Sequence, residues 1–308
     1  MTIRLLSKIN RQTAAAFFLF LFFLLFTSTQ LPAQQTEETT PTKSCLWEVK
    51  NGSTRVFLLG SLHVLKSSAY PLAEEINNAY TASKRLVFET DIGAMMEPAV
   101  LTKMMELGLY PEGQDLFQNI SGTTRRSLEK KLQDLGLPAA TFARFKPWFM
   151  AMTLTTLELQ RLGFNPQYGI DLHFYTKAKA DNKTLAYLEP VEYQLNLLGK
   201  MDSRDQKSFL NQTLKDLANS AVLADQMMAA WQSGEADDLY TLLFKSFEDH
   251  PGIEDRLLTR RNKEWIDRIE DMLQEPQATM VIVGAGHLVG PEGLVELLKE
   301  DGYEVKQK

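Results

Sequence analysis

Two histidines, each three residues after a glycine, are the side chains of this sequence best placed to do chemistry. The first ends the segment Gly60–His63 (Gly-Ser-Leu-His) and the second ends Gly284–His287 (Gly-Ala-Gly-His). Each segment follows an apolar run typical of a buried strand, and each precedes a proline, Pro71 or Pro291, at which we expect a helix to begin. The two segments therefore form a weak internal repeat of a strand-helix-strand unit.

Four polar side chains fall where apolar strands are predicted to end: His63, Glu89, Glu189 and His287. Strands joined by helical crossovers are parallel, and ligands collect beyond their carboxyl ends, so these side chains should meet at one sheet edge. Two imidazoles with one or two carboxylates suit a divalent metal ion that activates water, with a spare carboxylate to move the proton. The alternative is that both histidines cap strands and hydrogen-bond to the backbone in buried turns.

Three residues have both a structural and a functional interpretation. Glu189 is either a third ligand or general base, or a salt-bridged strand end. Arg261, in a charged stretch of helix, either faces solvent or binds a substrate carboxylate or developing oxyanion with its rigid fork of donors. Asp171 either caps a helix or orients a histidine.

The other reactive residue types are predicted to have structural roles. Ser61 shares a strand face with His63 but lacks the strained Gly-x-Ser-x-Gly turn of a serine nucleophile. His173 is expected to pack or to face water, and His250 to lie in a surface turn. Cys45 is too close to a flexible leader to be a convincing nucleophile.

The elements that must position these residues are α/β at the two ends of the chain and mostly helical between them. An Asn-Gly pair at residues 51–52 predicts a β-hairpin. The periodicity predicts strands over 85–89, 184–188, 278–283 and 303–305 and helical segments over 73–83, 94–180, 192–274 and 291–300. The predicted fold is α/β (α+β), a mixed sheet built from N- and C-terminal strand-Gly-x-x-His-helix-strand units with a large helical insertion, in a single domain over residues 45–308.

The first residues of the chain are typical of a targeting segment. Residues 1–33 combine a basic start, an apolar run over 14–26 and small residues near Ala33, which predicts a signal peptide or N-terminal anchor. That run is shorter than the roughly 20 residues that span a bilayer, so cleavage is favoured over anchoring. Residues 34–44 are polar and predict a flexible leader. We therefore expect an exported protein, periplasmic or secreted, or one tethered to a membrane by residues 14–26.

Composition and charge exclude several classes of protein. Of 308 residues, 44% are hydrophobic and 23% charged, which excludes collagen, a coiled-coil rod and a disordered chain. The net charge of −6, about −9 without the basic leader, argues against a nucleic-acid partner, which requires a basic surface. A single cysteine excludes an internal disulfide and a Cys-rich zinc site, so a metal site must use histidine and carboxylate.

At these motifs the sequence resembles the TraB/GumN family, which is related to the Tiki membrane-associated metalloproteases. The matching segments run in order from about residue 45 onward: Leu46–Val49, Leu58–Leu65, Leu86–Glu89, Lys146–Trp148, Gly169–Asp171, Leu188–Glu189, Val191–Gln194, Arg261–Asn262 and Val283–Gly290. The resemblance implies an active centre of two Gly-x-x-His motifs and a glutamate, here His63, Glu89 and His287. Arg261 and Asn262 match the family's Arg-Asn pair. Gly286 stands where many relatives have a larger apolar residue, which leaves the histidine in place.

Together the motifs and the resemblance imply an exported metal-dependent hydrolase, a peptidase acting on a peptide or protein. In this hypothesis His63, His287 and Glu89 bind a divalent ion (Mn, Co or Zn), while Glu89, Glu189, Arg261 and Asn262 are the catalytic residues. The sequence has no His-Glu-x-x-His motif, so the alternative is a non-catalytic protein that sequesters a peptide or small ligand in the same cleft. An esterase-like hydrolase on a related scaffold is a third hypothesis.

Overall fold

Both ends of the described chain contribute strands to one mixed sheet. The computed structural model describes residues 43–244 and 251–308. Its strands are β1 (Leu46–Asn51), β2 (Thr54–Ser61), β3 (Arg85–Phe88), β4 (Thr184–Tyr187), β5 (Thr279–Gly284) and β6 (Glu304–Gln307). Within the described residues they form one sheet in the order β4-β3-β5-β2-β1-β6. The predicted mixed α/β fold is confirmed.

The N-terminal hairpin forms where the Asn-Gly pair predicts it. β1 and β2 pair antiparallel, with Leu46 opposite Leu59 and Asn51 opposite Thr54. Gly52 in the connecting turn has a φ of +59°, a left-handed conformation that costs glycine less than any other residue. β6 pairs antiparallel with the outer side of β1, so the end of the described chain closes this side of the sheet.

The centre of the sheet is parallel. β5 lies between β2 and β3 and pairs with both, so that Val281 is opposite Leu58 on one side and Val87 on the other. β4 pairs parallel with the far side of β3. The unbroken burial of β2 from Val56 to Ser61 fits a strand whose two faces are both covered. Four carboxyl ends therefore meet at one edge of the sheet.

Helices form most of the remaining described chain. They are α1 (Glu74–Ala82), α2 (Ile92–Met95), α3 (Pro98–Gly108), α4 (Leu116–Asn119), α5 (Gly122–Asp134), α6 (Pro147–Arg161), α7 (Ile170–Ala180), α8 (Val191–Gly199), α9 (Ser203–Asp216), α10 (Ser220–Ser233), α11 (Ala236–Phe244), α12 (Pro251–Glu254), α13 (Arg260–Gln274) and α14 (Leu294–Glu300). A π-helical turn over Asp255–Thr259 joins α12 to α13.

The helices after the two motifs begin later than predicted. α1 starts three residues beyond Pro71, and α14 starts three residues beyond Pro291. In the second unit the Gly293 amide donates to the Gly290 carbonyl at 3.0 Å, which closes a turn around the proline before the helix can begin. Each proline therefore lies in the lead-in to its helix and not at its first residue.

The apolar interior has two parts. One cluster covers the sheet, and a second lies within the helical insertion, where Leu116, Leu128, Leu132, Met150 and Leu154 are fully buried.

No helix within residues 43–244 and 251–308 is both long and apolar enough to cross a bilayer. The predicted signal peptide or anchor, most of the predicted leader, and His250 lie outside the described residues. Ser44, the last leader residue, is buried and its amide donates to the Lys308 carbonyl at 2.5 Å.

Gly60, which opens the first motif, lies where no side chain fits. A β-carbon at this position would lie 2.4 Å from Cys45 Sγ and 3.2 Å from the Ala285 backbone. We expect Gly60→Ala to lower the free energy of unfolding by about 1–3 kcal/mol, measured by urea denaturation, because buried neighbours must shift. In the control Gly122→Ala the nearest atom is Arg126 Nη1 at 3.6 Å, and we expect a change within about 0.5 kcal/mol. Equal losses in both variants would contradict this account.

A buried carboxylate ties three helices of the insertion together. Glu158 on α6 is 1% exposed and accepts hydrogen bonds from Arg161 Nη2 (2.7 Å), Lys131 Nζ (2.9 Å) and Ser220 Oγ (3.0 Å). The hydrogen bond from Arg161, with those from Lys131 and Ser220, outweighs burial and lowers the pKa of Glu158 to about 2.

We expect Glu158→Gln to reduce the free energy of unfolding by about 1–3 kcal/mol at pH 7. The folded-state pKa lies below the ordinary value, so this stabilisation is complete above about pH 5 and is lost as the pH falls toward 2. Urea titrations of both proteins between pH 7 and pH 2.5 should therefore converge. A difference that stays constant over this range would show that the charge of Glu158 is not its source.

Candidate active site at the strand ends

Three of the predicted site residues surround Gly284, the last residue of β5. A β-carbon placed on Gly284 would lie 3.3 Å from Glu89 Oε1, 3.7 Å from His287 Cδ2 and 3.8 Å from His63 Nε2. The Gly284 amide itself donates to Glu89 Oε1 at 2.7 Å. The crossover topology thus brings both Gly-x-x-His histidines and the β3 glutamate to one point on the edge of the sheet.

Arg261 on α13 connects the two glutamates of the site. Its Nη2 donates to Glu89 Oε2 at 2.6 Å, and its Nε and Nη2 hold Glu189 in a two-point contact at 2.7 and 2.9 Å. Its Nη1 donates to the Leu257 carbonyl in the π-helical turn at 2.7 Å. Arg261 is 5% exposed, so its contacts are made largely away from water, where an unpaired charge is costly.

The network sets the protonation of both glutamates. Burial alone would raise the pKa of Glu89, but Arg261, the two histidines and the Gly284 amide outweigh it and hold that pKa well below its usual range. Burial raises the pKa of Glu189, and the two-point contact with Arg261 opposes the rise. Glu89 is therefore a stable carboxylate at neutral pH, which suits a ligand or a charge partner better than a general base.

His287 is buried and held by both ring nitrogens. A guanidinium can only donate, so His287 Nε2 accepts from Arg261 Nη1 at 2.9 Å, and Nδ1 must carry the proton given to Asn262 Oδ1 at 2.6 Å. Asn262 is fixed in turn, because its Nδ2 donates to the Glu292 carbonyl at 2.7 Å. Burial lowers the pKa of His287 to about 3, with Arg261 adding to the effect and Glu89 opposing it, so the imidazole is neutral at physiological pH.

His63 lies at the open side of the site. Its side chain is 68% exposed, and Nδ1 contacts Asp171 Oδ1 at 3.0 Å. The charge of Asp171 raises the pKa of His63, and solvent around the exposed ring weakens this effect. Asp171 also accepts a hydrogen bond from Ser61 Oγ. Asp171 therefore orients a histidine and does not cap α7, whose N-cap is Gly169.

Arg261, Asn262 and Glu189 are buried, and their side chains are hydrogen-bonded to other residues of the site. Arg261 and Asn262 are 5% and 2% exposed, and Glu189 is 6% exposed and bound to Arg261. The flanking Arg260 and Lys263 have side chains 63% and 59% exposed, so the charged stretch has two buried and two solvated members. The interpretation of Arg261 as a solvent-facing residue is wrong.

Three of the remaining predictions concern groups outside this network. The Ser61 hydroxyl donates to Asp171, and within the described residues it makes no hydrogen bond to an imidazole that could act as its base. Cys45 is fully buried, and burial raises the pKa of its thiol to about 12, which makes it unreactive. His173 packs against the rings of Tyr70 and Phe174, as expected.

Two residues of the network had no predicted role. Gln194 Nε2 donates to Glu89 Oε2 at 3.0 Å and to Glu189 Oε2 at 3.3 Å, and Trp265 Nε1 donates to Glu189 Oε1 at 3.1 Å. Trp265 follows Arg261 by four residues, so both lie on one face of α13. That helical spacing could have identified the buried face on which Arg261 lies.

The donors of the site fit a divalent metal ion in kind. His63, Glu89 and His287 offer two imidazoles and a carboxylate, a combination used for Zn, Mn and Co. Asp171 and Asn262 hold the Nδ1 atoms of the two histidines, as partners of metal-binding histidines usually do. Both Nε2 atoms are thereby directed toward the site.

The charges also suit a divalent ion. A metal ion would bind His63 in its unprotonated form, and the three carboxylates of Glu89, Glu189 and Asp171 then outnumber the single guanidinium of Arg261 by two. As the side chains stand, no three His, Cys, Asp or Glu residues in the described part of the chain are grouped closely enough to hold an ion. The atom beside His287 Nε2 is Arg261 Nη1, so ion binding would require that contact to change.

The fold and the site together define an α/β protein with a paired Gly-x-x-His centre at the carboxyl ends of its parallel strands. The sequence profile of the TraB/PrgY/gumN family matches residues 45–307, and the chain belongs to that family. The YbaP protein of Escherichia coli is 27% identical over 248 residues, which are 80% of this chain and 89% of YbaP. A Treponema pallidum protein is 22% identical over 82% of this chain and 80% of its own length.

Animal proteins of the Tiki type are also similar to this chain. Metalloprotease TIKI2 of Danio rerio is 23% identical over 85% of this chain but only 60% of its own length. Metalloprotease TIKI1 of the same species is 23% identical over 85% of this chain and 63% of its own length. The chain therefore corresponds to about three fifths of these metalloproteases. No solved structure matches it.

Proposed function

We propose that this protein is an exported, metal-dependent hydrolase that cleaves peptide bonds in a peptide or protein. The observation that carries the proposal is the meeting of His63 Nε2, Glu89 and His287 around Gly284, at the sheet edge where α/β proteins bind ligands. The similarity to proteins named metalloproteases supports the reaction class. The pattern of residues 1–33 supports export, or a membrane tether through residues 14–26.

In this proposal His63, Glu89 and His287 hold a divalent ion (Mn, Co or Zn), which would polarise a carbonyl and lower the pKa of a bound water. Asp171 and Asn262 fix the orientation of the two imidazoles. Arg261 and Glu189 form the buried support that holds Glu89 in place. His63, the exposed member, faces the side from which a substrate arrives.

The test is metal dependence measured in two ways. The protein is stripped with a chelator and dialysed separately against Mn, Co and Zn, after which bound metal is measured by elemental analysis and cleavage of a peptide library by mass spectrometry. We expect about one ion per chain and cleavage that returns with at least one metal. Loss of metal binding in His63→Ala and His287→Ala would connect the ion to these residues. Neither binding nor cleavage with any of the three metals would refute the proposal.

One observation favours a second candidate, a protein that sequesters a peptide or small ligand without turnover. Arg261 already neutralises Glu89 and engages Nε2 of His287, an arrangement that is complete without a metal. Mass spectrometry separates the two candidates. Multiple turnovers would exclude sequestration, whereas stoichiometric capture of an intact ligand would favour it.

A further inference from the structure

A cavity of about 380 Å³ opens beside the site, between the sheet edge and the helical insertion. Its walls include His63 and Glu89 on the sheet side. Across from them it is lined by the apolar side chains of Met95, Met104, Met152, Trp148, Phe149 and Leu198. The volume lies in the range of about 300–1,000 Å³ that is typical of ligand pockets.

Two residues lining this cavity carry buried polar atoms with no partner in the protein. In the described part of the chain, three buried side-chain polar atoms lack a hydrogen bond, and two of them are Thr90 Oγ1 and Trp148 Nε1. Thr90 and Trp148 are 6% and 5% exposed. Leaving a buried donor unpaired destabilises a protein, so each such group calls for an explanation.

We propose that the cavity is a substrate subsite that takes two or three apolar residues of a peptide, whose backbone carbonyls accept from Trp148 Nε1 and Thr90 Oγ1. This rests on the proposed peptidase function and adds the substrate class. A fatty acyl chain would fill the apolar volume but would offer no acceptors along its length, whereas a peptide has one in every residue. Thr90 directly follows Glu89, so a segment bound at Thr90 would lie beside the candidate active site.

The side chains that line the cavity are suited to binding apolar ligand side chains of varied shape. Three methionines contribute, and their flexible thioethers adapt to different partners. Trp148 and Phe149 offer aromatic faces in contact with each other, with ring centroids 5.3 Å apart. We therefore expect the subsite to select bulky apolar residues as a group and to reject glycine and small polar residues.

The two unpartnered atoms allow a test that separates ligand binding from a structural role, because removing them should weaken peptide binding without the stability loss that follows removal of a bonded donor. Thr90→Val keeps the shape of the side chain and removes only the hydroxyl, whereas Trp148→Phe removes the indole N–H together with part of the ring. We expect Thr90→Val to melt at or above the wild-type temperature, Trp148→Phe to lose less melting temperature than Trp231→Phe, and both cavity variants to bind the peptide about three- to tenfold more weakly. In the control Trp231→Phe, the lost donor is bonded to the Gly60 carbonyl at 2.7 Å, so the melting temperature should fall by about 2–6 °C.

Binding is measured calorimetrically on the full chain without added metal, with acetyl-Leu-Phe-Leu-amide and acetyl-Gly-Ser-Gly-amide as probes. We expect the apolar tripeptide to bind at least tenfold more tightly, and Met152→Trp, which fills the cavity from a half-buried position, to remove that preference. Equal binding of the two probes, or a Thr90→Val variant that melts lower and binds as well as wild type, would overturn the proposal.

These outcomes are separate from those that test catalysis. Selective binding with no cleavage under any metal would leave the subsite standing and refute the peptidase function. Metal-dependent cleavage with no preference for apolar residues would support the peptidase function and refute the subsite.

Discussion

Replacing Arg261 with methionine is expected to lower the free energy of unfolding by about 3–5 kcal/mol at pH 7. The change leaves the buried carboxylate of Glu189 and the partly buried carboxylate of Glu89 without their cation, which is the costly way to break such an ion pair. It also removes the donor to Nε2 of His287. The loss should narrow as the pH falls below about 5, because protonated carboxyl groups no longer require the guanidinium. Urea denaturation at several pH values measures both effects.

The matched control for this variant is Arg260→Met, one residue away. Arg260 has a side chain 63% exposed and forms an ion pair with Asp255 at 2.7 Å, so its loss should cost less than about 1 kcal/mol. If Arg260→Met and Arg261→Met destabilise the protein equally, the buried network is not the source of the effect.

Replacing His63 with alanine is expected to lower kcat/KM for peptide cleavage by at least about 10²-fold while leaving the melting temperature within about 2 °C of wild type. The activity loss follows from its place among the proposed ligands and reacting groups. The small stability effect follows from its 68% exposure and from a side-chain ion pair with Asp171 that faces solvent. Steady-state kinetics with the activating metal and a thermal melt test the two statements on the same preparation.

The control His173→Ala is expected to show the opposite pattern, a loss of stability without a loss of activity. His173 lies two residues after Asp171 on the same helix but packs against Tyr70 and Phe174. We expect it to lower the melting temperature while kcat/KM stays within about twofold of wild type. Full activity in His63→Ala would remove this residue from the proposed centre, and a large loss of stability there would contradict its position at the surface.

The placement of the site could be predicted because it depends on topology and on the ends of strands. Apolar runs ending at Ser61 and Gly284, with helices after them, predict parallel neighbours whose carboxyl ends share an edge. The structure confirms the shared sheet and places both histidines beside Gly284. Local sequence was sufficient here because strand periodicity and crossover handedness determine the outcome.

The contacts within the site could not be predicted in the same way. Four consecutive polar residues, 260–263, contain two buried and two exposed members, and their composition does not distinguish them. Trp265, Ile269 and Met272 form the buried face of α13. Arg261 lies one turn before Trp265 on the same face, and only this spacing indicates that Arg261 faces inward. The cavity is harder still to predict, because it depends on how the helical insertion packs against the sheet edge.

The central position of β5 has a consequence for the order of folding. β2 and β3 follow each other in the chain, but they lie one strand apart in the sheet, and the strand between them begins only at Thr279. In a chain still being synthesised, β2 and β3 therefore lack the strand that lies between them while more than half of the sequence is made. Such long-range closure is slow, because the entropy of a long loop is lost before its contacts form. His287 then arrives with the strand that closes the gap between β2 and β3, so the candidate site and the sheet are completed together, and a partial chain ending before residue 279 has neither.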